Sequence, residues 1–345
     1  MTAMRHSASR FRSRGFSMVE LMVSVTISLL ILTAIAALYS TMSNSNQALA
    51  NASQQLLNGS YAAQFLSDDL RHAGYFGGAY TPSTGIPATL PDPCVTNNVA
   101  TMRAALELPV QGYDGPANPP VSCIPASDFI PGTDVLVVRR ASTTVTAPAN
   151  LNASDLYMQN NNDWTDALNP VLGAGAVANF PLFNKDGVTP ADIRKYYVRI
   201  YFVSPCNVYA TGLTGCTAEA DGGRPVPTLK MLELGVASGG ALGMSSFALA
   251  QGVENLQVDY GIDSSGTGAA QTFVGIPASM NDWMNVMEIK LNLLVRNPKA
   301  TQGYVDAKTY TLGLDTSVTP GGAFKRHIFT QHVRLTNQAA TRETP

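Results

Sequence analysis

Three residues near the amino terminus have types and spacing that could do chemistry together: Gly15, Phe16 and Glu20. Gly15 is a small residue placed for peptide-bond cleavage, and a cut after it frees the amine of Phe16. On a helix, Glu20 lies one turn further along the same face as Phe16. A carboxylate inside hydrocarbon costs roughly 3 kcal/mol or more, and such a residue marks a functional position. Glu20 therefore needs a cationic partner, and the new amine is the nearest. In a bundle of such helices, Glu20 of one chain can meet the Phe16 amine of its neighbour, which would set an axial register.

The element that must position these residues is the apolar run 16–38, which carries one charge, Glu20. As a helix it spans roughly 35 Å, enough for a hydrocarbon core of ~30 Å. Ahead of it stand Arg5, Arg10, Arg12 and Arg14 with no acidic residue, a bias that holds this end on the cytoplasmic side. An ordinary secretory signal is cut on the far side of its apolar core. Here the small residue is on the near side, so cleavage leaves the apolar segment on the mature chain. A plain anchor with Glu20 at the interface is the simpler alternative, but it leaves the spacing of Gly, Phe and Glu unexplained.

Gly15, Phe16 and Glu20 resemble the processing motif of type IV prepilins and pseudopilins. The resemblance implies a separate, membrane-embedded prepilin peptidase that cleaves between Gly15 and Phe16 and methylates the Phe16 amine. It also implies that Glu20 serves docking into a growing filament.

Beyond Leu38 no Pro or Gly interrupts the chain until Gly59, so the helix is expected to continue to about residue 73. A stripe of Leu49, Ala52, Leu56, Gly59, Ala63, Leu66, Leu70 and Ala73 reads as one buried face, and Gly74 supplies the stop. Residues 74–132 are rich in Pro, Gly, Asn and Thr and are expected to be irregular. From residue 133 the pattern is one of strands, around 134–139, 196–202, 229–236, 253–260, 289–296 and 325–336, with no long helix between them. This favours antiparallel pairing. The expected fold is α+β and pilin-like: a cleaved leader 1–15, a long helix 16–73 with 16–38 membrane-spanning, and a head 74–345 built on an antiparallel sheet.

Residues 67–77 (Ser-Asp-Asp-Leu-Arg-His-Ala-Gly-Tyr-Phe-Gly), 253–263, the strand 289–296 and Arg334-Leu335-Thr336-Asn337 look like the PilW family of minor pilins. The implied protein is a single-pass inner-membrane subunit with a periplasmic head, which enters a pilus at or near its tip. Its implied partners are the prepilin peptidase, other minor pilins, the major pilin and the pilus assembly platform. Two alternatives share the long helix: a J-type pseudopilin of a type II secretion system, and a tethered adhesin. A bulk subunit fits less well, because major pilins often carry a cysteine pair near the C-terminus, whereas Cys216 is far from Pro345.

Charged residues are only 13% of the chain, which suits an extracytoplasmic surface. Losing the leader leaves eighteen basic against twenty-four acidic side chains, and no basic patch calls for nucleic acid. All four cysteines lie on the exported side, where disulfides persist. Cys206 and Cys216 bracket a short loop between two expected strands, which favours that pair and leaves Cys94 with Cys123; two other connectivities are formally possible. No C-x-x-C pair suggests zinc. His327 and His332, five apart on a strand, face opposite ways. No nucleophile elbow, Walker loop or dinucleotide fingerprint is present, so neither catalysis nor a cofactor is expected. The Asn/Asp clusters at 160–163 and 184–187 read as turns before they read as calcium ligands, and Trp164 and Trp283 as packing before a glycan face.

Overall fold

The computed structural model describes residues 15–78, 87–95, 99–163, 166, 168–236, 242–314 and 316–343. Arg5, Arg10, Arg12, Arg14 and Trp164 lie outside them. The chain divides into two compact units at Ala50/Asn51.

Helix α1 (Met18–Arg71) runs for 54 residues. In the first unit it carries Leu21, Ile27, Leu30, Leu32, Ile35 and Leu38 exposed. An 18-residue window there has mean hydropathy 2.5 and none of it is buried, so the helix is long and apolar enough to cross a membrane. Polar side chains in this stretch are satisfied locally. Ser24, Thr26, Ser28 and Thr33 each donate to a carbonyl three or four residues back, which removes the penalty of unpaired hydroxyls in apolar surroundings.

In the second unit, the sequence Val135-Leu136-Val137-Val138 is apolar without alternation, the mark of a strand covered on both faces. It lies in β2 (Val135–Ala141), which pairs with β1 (Val110–Tyr113) and with the long β5 (Ile193–Ser204). Along its length β5 also pairs with β3 (Leu156–Gln159), which carries β4 (Val171–Ala174), and with β6 (Thr228–Val236), which carries β7 (Leu242–Gln251). A second sheet has the order β13 (Arg326–Arg334), β10 (Val286–Arg296), β8 (Val253–Ile262), β9 (Thr272–Val274). The hairpin of β11 (Tyr310–Leu312) and β12 (Thr316–Val318) stands apart from both sheets. Among the described residues every strand pair is antiparallel. The result is an α+β pilin-like fold, a long helix followed by an antiparallel head.

One core joins the end of α1 to both sheets. Ala62, Ala63, Leu66, Leu70 and Ala73 pack with Leu136, Val138, Tyr201 and Val203 of the first sheet and with Val258, Ile289, Leu291, Leu293 and Val333 of the second. The opposite face of the first sheet carries Val135, Val137, Val198, Ile200 and Phe202, and it packs against Phe76, Met102, Leu106, Val121, Ile124 and Phe129. The Pro-rich segment is thus a second covering layer. It contains a helix over Val99–Ala104 and strand β1, so residues 74–132 hold more regular structure than their composition suggests.

The stripe on α1 needs correcting. Leu49, Ala52 and Leu56 are exposed, and burial starts at Gln55. Gln55 is where the sheets first reach the helix: its amide nitrogen donates to the carbonyls of Val295 at 2.6 Å and Lys325 at 3.2 Å. Leu56, one residue on, points away. The end of the chain also differs from expectation, because β13 stops at Arg334 and a helix follows over Thr336–Glu343.

Candidate processing and assembly site

Gly15, Phe16 and Ser17 precede the helix in irregular backbone, all exposed. A side chain at Gly15 would meet nothing within 4 Å. The residues in the expected cleavage pair therefore sit in open, non-helical chain, the form a peptidase needs.

Glu20 does not stand unpartnered. Its Oε2 accepts from the backbone amide of Ser17 at 3.0 Å, while the Glu20 amide donates to Ser17 Oγ at 3.3 Å. This reciprocal arrangement is a capping box, and the amide of Leu21 makes the first helical bond to the Ser17 carbonyl at 3.1 Å. It satisfies two of the orphan donors at the helix start and places the carboxylate at the positive end of the helix dipole. The Ser-x-x-Glu signature at residues 17–20 was legible in the sequence but is hidden by the more obvious reading of Glu20 as partner to an amine. The chain described here still carries Gly15, so Phe16 N is a peptide nitrogen and that pairing does not arise.

At its other end α1 is fixed by a second carboxylate. Asp69 is buried, and it accepts from Arg140 Nε at 2.5 Å, from an Arg199 guanidinium nitrogen at 2.7 Å and from Tyr201 Oη at 2.6 Å. Arg199 also reaches Glu233 at 2.8 Å, and Lys195 bridges Glu233 to Asp155. The Arg140 and Arg199 guanidiniums each lie 4.5 Å from the Tyr197 ring centre. Burial works most strongly against the Arg199 cation, but Asp69, Tyr201 and Glu233 together outweigh it and hold the guanidinium above its usual pKa. Burial raises the Tyr201 hydroxyl, and the adjoining Asp69 charge adds to that. In the sequence, Asp69 stands out only through the likeness of residues 67–77 to the PilW family.

Two disulfides join Cys94 to Cys123 and Cys206 to Cys216. The first ties two parts of the covering layer. The second sits on a buried pair: Asp128 accepts from Lys230 Nζ at 2.8 Å, and from Ser204 Oγ and Tyr209 Oη, each at 2.6 Å. Asp128, Cys206 and Cys216 lie close enough to suggest a metal site. The sulfurs are bonded to each other, however, and offer no thiolate.

Other residues singled out from the sequence are placed as follows. Trp283 is buried edge-on against Tyr260, with ring centres 4.8 Å apart. His327 and His332 lie on β13 beside Phe329 and Phe273 respectively. Residues 184–189 form a turn closed by the Asn184 and Gly187 amides, and Asn160 donates to the Phe76 carbonyl at 3.1 Å.

Residues 215–337 match the family described as Type IV Pilus-assembly protein W, and residues 10–36 match the prokaryotic N-terminal methylation motif. Over these residues the chain is PilW-like and type IV pilin-like. The second match holds Gly15, Phe16, Ser17 and Glu20, and the first spans β6 to β13 with Asn337. No curated protein and no solved structure matches the chain. Neither family match includes Asp69 or the Cys94–Cys123 bond.

Proposed function

We propose that the chain is a minor pilin. A prepilin peptidase cleaves between Gly15 and Phe16 and methylates the new amine. The mature subunit sits in the inner membrane through residues 16–38 with its head in the periplasm. At the assembly platform it joins other minor pilins and the major pilin, and primes a pilus at or near the tip. Freed by cleavage, the Phe16 amine of one subunit takes Glu20 of its neighbour as partner.

The observation that carries this reading is the register of the N-terminal match. The methylation motif falls on the open Gly15–Ser17 segment and on an apolar helix whose side chains are exposed. Support for the pilus over the secretion pseudopilus comes from the match of the head to a pilus-assembly family.

The test is intact mass and N-terminal sequencing of the chain recovered separately from sheared surface filaments and from membranes. Methylated Phe16 in the filament fraction is the expected result. Processed chain found only in membranes favours the pseudopilin, and an intact leader in both fractions overturns the reading.

A further inference from the structure

Among the described residues the two larger sheets end on β1, β4 and β7 in the first and on β9 and β13 in the second. An edge strand offers unpaired amides and carbonyls to any other strand, and shortness or charge is what keeps such edges single. β1 and β4 have four residues each and β9 has three. β13 has nine, but it carries Arg326 and Arg334 at its ends and His327 and His332 between them. β7 has neither guard. It runs for ten residues, Leu-Gly-Met-Ser-Ser-Phe-Ala-Leu-Ala-Gln, without a charge or a proline.

Over Gly243–Ala250 the strand neighbour of β7 is β6 alone among the described residues. Ser245, Ser246, Phe247 and Ala248 are all exposed, although successive residues of a strand face opposite sides of its sheet. This stretch therefore stands clear of both cores. Its ladder with β6 is regular, because the register shift lies beyond it, between the Ala248 and Ala250 pairings. The edge also adjoins an exposed side of α1. Asn58 donates to the Gln251 carbonyl at 3.0 Å, and Leu57 and Tyr61 on the same helix are exposed.

We propose that β7 is a docking edge that takes an uncharged strand from the head of a different pilin subunit. This rests on the minor-pilin reading, in which the neighbours of the chain are other pilins bundled through their helices. A second copy does not fit. Antiparallel pairing of β7 with itself needs a two-fold axis normal to the sheet, and the buried face of α1 from Ala62 to Ala73 packs along that sheet. The axis would turn the two helices in opposite directions, so both could not enter one membrane from the same side. Pairing with β13 of a second copy would set two arginines beside a strand that has no carboxylate. An uncharged strand leaves no charge stranded at the new ladder and gains main-chain bonds along the exposed stretch.

In the test, the full chain is expressed in its own cells with p-benzoylphenylalanine in place of Phe247, or of Phe183, which is exposed elsewhere in the head. After irradiation, cross-linked chain is recovered from sheared filaments and from membranes, and the partner and its attached segment are identified by mass spectrometry. Position 247 is expected to link to another pilin, within a segment lacking Asp, Glu, Lys and Arg, and position 183 is not. Ser245→Lys should lower the yield at least about tenfold, since an edge lysine opposes strand addition. Ser245 lies opposite Glu233, so that lysine has a carboxylate beside it; an unfolding midpoint equal to that of the unaltered chain excludes misfolding. Amides 243–248 should exchange with deuterium more slowly in the linked complex than in the free chain. The proposal is overturned by no link from position 247, by a link to a second copy alone, by an unchanged yield with Ser245→Lys, or by a link without slowed exchange. Methylated Phe16 in filaments without the link overturns the docking edge alone; an intact leader in both fractions overturns the minor-pilin reading and the docking edge with it.

Discussion

Glu20 and Ser17 close a reciprocal pair at the first turn of α1, amide to carboxylate at 3.0 Å and amide to hydroxyl at 3.3 Å. The carboxylate that the proposed filament needs is therefore already held in place ahead of the proposed cleavage, where it caps the helix start.

That double use separates two substitutions. Ser17→Ala removes only the cap, worth about 1 kcal/mol of helix stability, and should leave both cleavage and filament incorporation near normal. Glu20→Ala should also be cleaved, yet its share of sheared filaments should fall severely. Equal incorporation defects in the two variants would assign Glu20 to the helix start alone.

Asp69 predicts a stability effect. Asp69→Ala strands Arg140 and leaves Arg199 with Glu233 alone, and breaking a buried ion pair from one side costs about 3–5 kcal/mol. The unfolding midpoint of the purified chain should drop accordingly. A loss under about 1 kcal/mol would mean that solvent already screens this cluster.

Gly59 predicts a packing effect. A Cβ there would stand 2.1 Å from the Phe329 ring, so Gly59→Ala should destabilise by about 1–3 kcal/mol. Adding Phe329→Leu should recover part of that loss. If the double variant is worse than the sum of the singles, the ring is not what the glycine accommodates.

The two disulfides should differ in weight. Their sequence separations are 29 and 10, and on the chain-entropy model these correspond to roughly 3.6 and 2.7 kcal/mol. Replacing Cys94 and Cys123 with serine should cost more stability and expose the Phe76–Phe129 layer to protease. Faster digestion around residues 206–216 in that variant would contradict the assignment of each bond to its own layer.

Stability should fall with rising pH across the mildly acidic range. Burial raises Glu107 from 4.5 and Asp134 from 3.8, each to about 7. The folded chain then binds more protons than the unfolded chain between about pH 4.5 and pH 7, so the unfolding free energy declines through that window and levels off above it. Glu107→Gln should flatten part of the slope in unfolding midpoints taken from pH 4.5 to 8. An unchanged slope would show that Glu107 does not titrate there.

Much of this was readable from neighbouring residues. The long helix, the stop at Gly74 and the strands around Ile289 and Val198 show themselves through periodicity, which local chain geometry imposes. What periodicity could not show is cover. Leu49 and Leu56 continue the stripe but lie exposed, because burial depends on where the sheets meet the helix. Strands such as β3, β4 and β9 are too short for alternation to signal, and the Pro-rich segment gave no hint that Phe76, Met102 and Phe129 form a layer.

The sequence by itself determined the placing of the basic stretch, Gly15, the apolar run and the glutamate four residues into it, because each is defined by its position along one stretch of chain. Only the tertiary structure decided that Asp69 joins Arg199, 130 residues away, that Val135 and Val137 face a second core, and that Glu107 borders a cleft with Asn337. Those relationships depend on which distant strands pair, and a local pattern carries no record of that choice.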